Sequence, residues 1–136
     1  MSTDLSLSAD AAAAMSSAGE EARKAQHEFI SPEHMLLAML GGIGAGAGVS
    51  DGVGAAMERH HLKPAKLLVE LAQRVAAGPD EVAPGELPLS PEGRGVLAEA
   101  AKIARRRRRD RVGAADLLEA TLNRPGLIAQ AIAAAR

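Results

Sequence analysis

Laid over itself with an offset of 82 residues, the chain matches its own beginning: Leu7 to Leu40 falls on Leu89 to Leu122 without a gap. The identities are Leu7/Leu89, Ser8/Ser90, Ala18/Ala100, Ala22/Ala104, Arg23/Arg105, Leu36/Leu118, Ala38/Ala120 and Leu40/Leu122. An alanine-rich chain produces some of these pairings by composition alone. The in-register apolar exchanges Met15/Leu97, Ile30/Val112 and Met35/Leu117 argue for an internal duplication instead. Neither half is long enough to bury its apolar face alone, so the two must pack together.

Spacing shows what each half is made of. Ala11, Ala14, Met15, Ala18, Ala22 and Ala25 recur at helical intervals, so Leu7 to Gln26 reads as an amphipathic helix with Ser8 as its N-cap. In HEFISPEHMLLAML, Ser31 caps a second helix, Pro32 takes its first position and Glu33 its first turn, where the helix dipole favours an anion. Met35, Leu36, Met39 and Leu40 then make a buried stripe. GGIGAGAGVSDG is expected to leave the helix as a flexible loop, because glycine carries the largest propensity cost after proline. A third helix is expected from Gly52 to His60. A fourth opens at Pro64, with Leu67, Leu68, Leu71 and Val75 spaced for burial. Gly78 to Pro88 reads as a linker, and no strand is expected between the halves.

Composition narrows the function. Phe29 is the one aromatic residue and there is no cysteine, which excludes disulfides, thiolate metal sites and a cysteine nucleophile. No basic leader followed by an apolar run is present, and no apolar window is long enough to span a bilayer, so a cytoplasmic protein without membrane contact is expected. Charge is uneven: residues 1–60 carry three Lys/Arg against eight Asp/Glu, and residues 61–136 carry thirteen against nine.

LSLSADAAAAMSSAGEEARKAQHEFISPEHMLLAML, then VGAAMERHHL, a linker and LPLSPEGRGVLAEAAKIA resemble the N-terminal domain of Clp ATPases of the ClpA and ClpC type. The resemblance covers nearly the whole chain and centres on H-x-F-I-x-x-E-H-x-L-L-A-x-L. It implies an all-α, pseudo-twofold module of about seven helices built from two tandem repeats. The expected single domain spans 1–136, with repeat one at 4–77, the linker at 78–88 and repeat two at 89–136 lacking the family's final helix. The implied function is recruitment of protein substrates and adaptors to a protein-unfolding machine, with Clp ATPase or protease subunits as partners. The chain would be either a detached recognition part or a stand-alone regulator of Clp-dependent proteolysis. Nothing matches GxxxxGK[ST], so no motor is expected here, and neither enzymatic activity nor a cofactor. Repeat two departs from the pattern: Arg109, Arg111, Ala115 and Asp116 stand where repeat one has His27, Phe29, Glu33 and His34.

The resemblance also supplies a candidate site. In ClpC-type domains the Glu of the E-H motif and the hydroxyl residue opening each repeat help bind phosphorylated arginine. The matching residues are Ser8 and Glu33 in repeat one and Ser90 in repeat two. A carboxylate suits the guanidinium, and a hydroxyl at a helix N-terminus suits the phosphate. The plainer alternative makes Ser8 and Ser90 caps and leaves Glu33 to the helix dipole.

A second candidate is RRRRRDR, Arg105 to Arg111. Adjacent residues turn by about 100° on a helix, so these side chains encircle it, and a fraying, solvated helix end is expected. On that reading Arg107 can be replaced without loss of stability. The sharper alternative puts an anionic partner, an acidic protein face or nucleic acid, on Arg105, Arg106, Arg108 and Arg109. No aromatic residue is available to stack bases, which disfavours nucleic acid. A decoy that sequesters peptide-like ligands would use the same surface as the recruitment module. The four histidines lack the i, i+4 spacing of a helical zinc site, so they are read as structural and no metal is expected.

Overall fold

The structure, a computed structural model, describes residues 6–45, 51–76, 78 and 87–136. Residues 46–50 of the glycine-rich stretch and 79–86 of the expected linker lie outside them. Seven helices occur among the described residues: α1 (Ala9–Lys24), α2 (Pro32–Ala45), α3 (Asp51–Arg59), α4 (Pro64–Arg74), α5 (Pro91–Arg106), α6 (Ala114–Leu122) and α7 (Leu127–Ala135). The first half contributes α1 to α4 and the second α5 to α7.

The 82-residue offset governs the backbone in detail. Helix α1 starts at Ser8, whose hydroxyl accepts the Ala11 N–H at 3.3 Å, and α5 starts at Ser90, which accepts the Gly93 N–H at 3.0 Å. Both helices end in the same way, with Ala25 or Arg107 as C-cap, followed by Gln26 (φ 60°) or Arg108 (φ 57°) in the left-handed region. That conformation costs a non-glycine residue roughly 1–2 kcal/mol. It persists in both halves because the next amide closes onto the helix: His27 N–H donates to the Ala22 carbonyl and Arg109 N–H to the Ala104 carbonyl, each at 2.9 Å. The arginine run therefore turns a firmly closed helix end, and the expectation of a fraying one is corrected.

The expectation that no strand joins the halves is also corrected. Ser6–Leu7 (β1) pairs in parallel with Arg111–Val112 (β2), with Leu7 opposite Val112, and an isolated parallel bridge sets Ile30 opposite Leu89. The two bridges exchange under the offset, since 7 becomes 89 and 30 becomes 112. Ser8 N–H donates to the Val112 carbonyl and Ser90 N–H to the Ile30 carbonyl, both at 2.9 Å. The extended residue before the first helix of each half has an unpaired edge, and the residue before the second helix of the other half satisfies it. These contacts are reciprocal and carry the pseudo-twofold relation from one half to the other.

Helix α2 occupies the centre. Every residue from Met35 to Leu40 is buried, Leu37 and Ala38 included, so the expected stripe widens to the whole circumference. Helices α1, α4 and α6 surround it, and α7 packs on α4. Each large apolar side chain so buried stabilises the fold by roughly 1.5–3 kcal/mol. The helix also runs on through Gly41 to Ala45, past the expected loop start. Extending a formed helix costs only the glycine propensity of about 1 kcal/mol per residue, without a new nucleus. In α5, Gly93 is required where repeat one has Ala11, because a Cβ there would come within 2.8 Å of the Ile30 carbonyl oxygen. No helix is long and apolar enough to cross a membrane among the described residues.

Candidate functional site

Each half closes onto the other at a junction where an extended residue precedes a helix, and the candidate residues sort themselves by junction. At the first, Ile30 meets Leu89 and the Ser90 N–H donates to the Ile30 carbonyl, just before α2, whose first turn holds Glu33. At the second, Leu7 meets Val112, bringing Ser8 to the start of α6, where Ala115 stands in the position of Glu33. Ser8 and Glu33, grouped within repeat one by the sequence reading, thus belong to different junctions.

The junctions differ in chemistry. At the second, the Ser8 hydroxyl donates to Asp10, and the Asp10 carboxylate also accepts the Ala114 N–H at 3.4 Å. A carboxylate of the chain itself therefore occupies the start of α6. At the first, the Ser90 hydroxyl caps α5 and Glu33 is partly exposed in the first turn of α2. A groove of about 490 Å³ includes the paired Ile30 and Leu89 in its lining, with Met15, Leu87, Glu20 and Arg23. Around the α1–α2 corner lies a second cavity of about 520 Å³, lined by His27, Glu28, Phe29, His34 and Gly78 among others. Phe29, the lone aromatic, is 50% exposed there and adds little to the core.

The departures of repeat two prove to be a substitution of chemistry within one geometry. His34 is buried; its Nδ1 accepts the Ser31 N–H at 2.9 Å and its Nε2 lies 2.7 Å from His27 Nδ1. Asp116, fully buried, accepts the Gly113 N–H at 2.9 Å and Arg109 Nη1 at 3.4 Å on the same carboxylate oxygen. Positions 31, 27 and 34 map onto 113, 109 and 116, so a histidine pair in one half replaces an arginine–aspartate pair in the other. Burial, and then the charge of neighbouring His27, lowers the His34 pKa to about 4.

The arginine run stays exposed, as a solvated helix end requires, while three of its members also reach carboxylates. Arg107 reaches Asp116 at 3.3 Å and Glu119 at 3.9 Å, and Arg106 reaches Glu99 at 3.7 Å. Burial pushes the Glu119 pKa up, but hydrogen bonds from His60 and Arg59 and the charges of His60 and Arg107 outweigh it and hold the carboxyl below its usual range. Arg107, expected to be replaceable without loss, is exposed yet contacts two carboxylates. Arg108, Arg109 and Arg111 line a shallow surface together with Asp10 and Asp110, so the local charge is mixed. No group of three or more metal-ligating side chains occurs among the described residues.

The Clp repeat (R) N-terminal domain family matches residues 6–135, essentially the whole chain. The chain belongs to this family. Clp repeat domains are non-catalytic protein-interaction domains that bind adaptors and substrates in Clp ATPases. A solved structure described as "Preliminary structural investigations of a malarial protein secretion system" shares the fold with a TM-score of 0.77. It is 17% identical, and the match covers 95% of this chain and 84% of that one. No curated protein matches the chain significantly. The Clp repeat fold explains why the two junctions are built alike. Sequence spacing alone missed Asp116 and His34 as partners of residues 109 and 27; the offset alignment, read for polar pairs as well as apolar ones, contains that signal.

Proposed function

We propose that this Clp repeat domain recruits polypeptides, either adaptors or unfolded substrate segments, to a Clp ATPase in the cytoplasm, and performs no chemistry itself. The observation that carries the reading is the first junction: a groove of mixed apolar and charged lining that includes the paired Ile30 and Leu89, in a chain that the Clp repeat family matches over residues 6–135. Extended peptide fits such a groove through alternate side chains, with the lining charges fixing its register. A stand-alone regulator of Clp-dependent proteolysis and a decoy for peptide-like ligands would both use this surface. The test is a pull-down with the purified domain at low and at high salt. Clp subunits and unfolded proteins retained at both support recruitment. Nucleic acid retained only at low salt would support the arginine run as the functional surface instead, because phosphate contacts weaken steeply with salt. Asp10 and Asp110 beside Arg108, Arg109 and Arg111 argue against that outcome.

If phosphorylated arginine is the feature recognised, the first junction is its place, with Glu33 for the guanidinium and the Ser90 end of α5 for the phosphate. Titration with a phosphoarginine peptide is then expected to show one site. Glu33→Ala should weaken it about tenfold or more, as loss of a charge-assisted hydrogen bond predicts, and Ser8→Ala should leave it unchanged. Equal affinity for wild type and Glu33→Ala removes this ligand.

A further inference from the structure

The first helix of each half ends in the same backbone turn but presents different side chains on it. Residues 23–29, RKAQHEF, map onto 105–111, RRRRRDR, under the offset. Each stretch runs from a helix end through a left-handed residue, Gln26 or Arg108, to a closing amide and then an extended segment. The first half exposes Glu28 and Phe29 on this corner, and the second exposes Asp110 and Arg111 beside Arg105 and Arg108. Among the described residues, Glu28, Arg105, Arg108 and Arg111 take part in no ion pair.

The cavity of about 520 Å³ at the first corner is lined by Phe29 and Glu28, an aromatic ring next to a carboxylate. That combination suits a guanidinium, which stacks on the ring and donates to the carboxylate. No arginine lines the cavity among the described residues, so a guanidinium there comes from another molecule. The cations that precede this corner are engaged elsewhere: Lys24 pairs with Glu21 at 4.0 Å, and Arg23 lines the groove of the first junction. At the arginine corner, Asp10 accepts the Ala114 N–H and Arg109 pairs with Asp116. The exposed charges left there are Asp110 against Arg105, Arg108 and Arg111, a net positive surface. The longer-range field has the same sense, since acidic residues outnumber basic ones eight to three over 1–60 and basic outnumber acidic thirteen to nine over 61–136. With a formal net charge of −1, no overall repulsion keeps two copies apart.

We propose that the cavity beside Phe29 and Glu28 is a docking site for the arginine corner of a second copy of this chain, with Arg108 and Arg111 as the groups that enter it. The two patches are unlike, so the contact is heterologous and further copies add to the free patch at each end. It is small and exposed, and therefore weak and sensitive to salt. The groove through which polypeptides are recruited is not used, so neither reading rests on the other.

The test is sedimentation together with amide NMR on the purified chain, from about 0.02 mM to about 2 mM, at low salt and at about 0.5 M salt. At low salt the weight-average mass is expected to rise with concentration and to pass that of a dimer, while amide shifts move at residues 26–31 and 105–113. At high salt both changes should fall away. Glu28→Arg and Arg111→Glu change exposed side chains outside the pairs that close the corners, and each should weaken association about fivefold or more. An equal mixture of the two variants should associate again, because each supplies the intact patch that the other lacks. Four results overturn self-docking: a mass independent of concentration at low salt, association unmoved by salt, shifts at only one of the two corners, or a mixture that associates no better than its components. A chain that stays monomeric while an arginine-rich peptide shifts residues 26–29 gives the cavity to a basic partner, and overturns it too. None of these outcomes bears on the retention of unfolded proteins in the pull-down.

Discussion

Replacing Arg107 and Arg109 together by alanine is expected to lower the unfolding free energy by about 3–5 kcal/mol, because it leaves the Asp116 carboxylate buried without a counter-charge. Asp116 has no solvent exposure, and its remaining partner would be the Gly113 N–H at 2.9 Å. Both arginines are partly exposed, with side-chain exposures of 36% and 46%, which moves the expected loss to the lower end of that range. Arg107→Ala alone should cost about 1.5–3 kcal/mol, the worth of a hydrogen bond to a charged group. Asp116→Ala should cost less than the double arginine variant, since it leaves two cations that can turn to solvent instead of one anion that cannot. Urea unfolding near neutral pH measures all three. If the double variant matched wild type, Asp116 would have to be solvated, and the closure of α5 onto α6 would be misplaced.

The sequence carried the apolar half of this fold plainly and the polar half in disguise. Ala18 and Ala100, Ala22 and Ala104, and Leu36 and Leu118 are buried in pairs, as an alignment of apolar positions requires. The N-caps Ser8 and Ser90 were legible for the same reason: a hydroxyl before an apolar-periodic run has one common use. The Arg109–Asp116 and His27–His34 pairs were not, because the residue types differ while the geometry is shared. Read by type, the second repeat had lost its motif; read by partner, it keeps the contact with different chemistry. Helix α2 hid its length for another reason. Its glycines argue locally for a loop, whereas the burial that sustains the helix comes from α1, α4 and α6, which local propensity does not contain. At the candidate site, Glu33 and Ser90 were proposed from the family resemblance, and the bridge between Ile30 and Leu89 that joins their segments is one that no helical periodicity announces.

Leu36→Ala and Leu118→Ala are each expected to destabilise the domain by about 2–5 kcal/mol, the usual range for a buried leucine whose cavity cannot collapse. Both side chains are fully buried and occupy equivalent places under the offset, one in α2 and one in α6. Their surroundings are not equivalent. Leu36 lies in a helix buried over seven successive residues, His34 to Leu40, and enclosed by α1, α4 and α6, so few neighbours can move into the void. Leu118 lies in α6, whose Thr121 hydroxyl bonds back to the Leu118 carbonyl at 2.8 Å, and the outward side of that helix is partly solvated at Glu119 and Leu122. Relaxation is easier there, so Leu36→Ala should be the more costly of the two. Thermal and urea unfolding of both variants would show the order. A silent Leu36→Ala would mean that α2 is not the central helix, and equal losses would mean that the two halves enclose their cores alike.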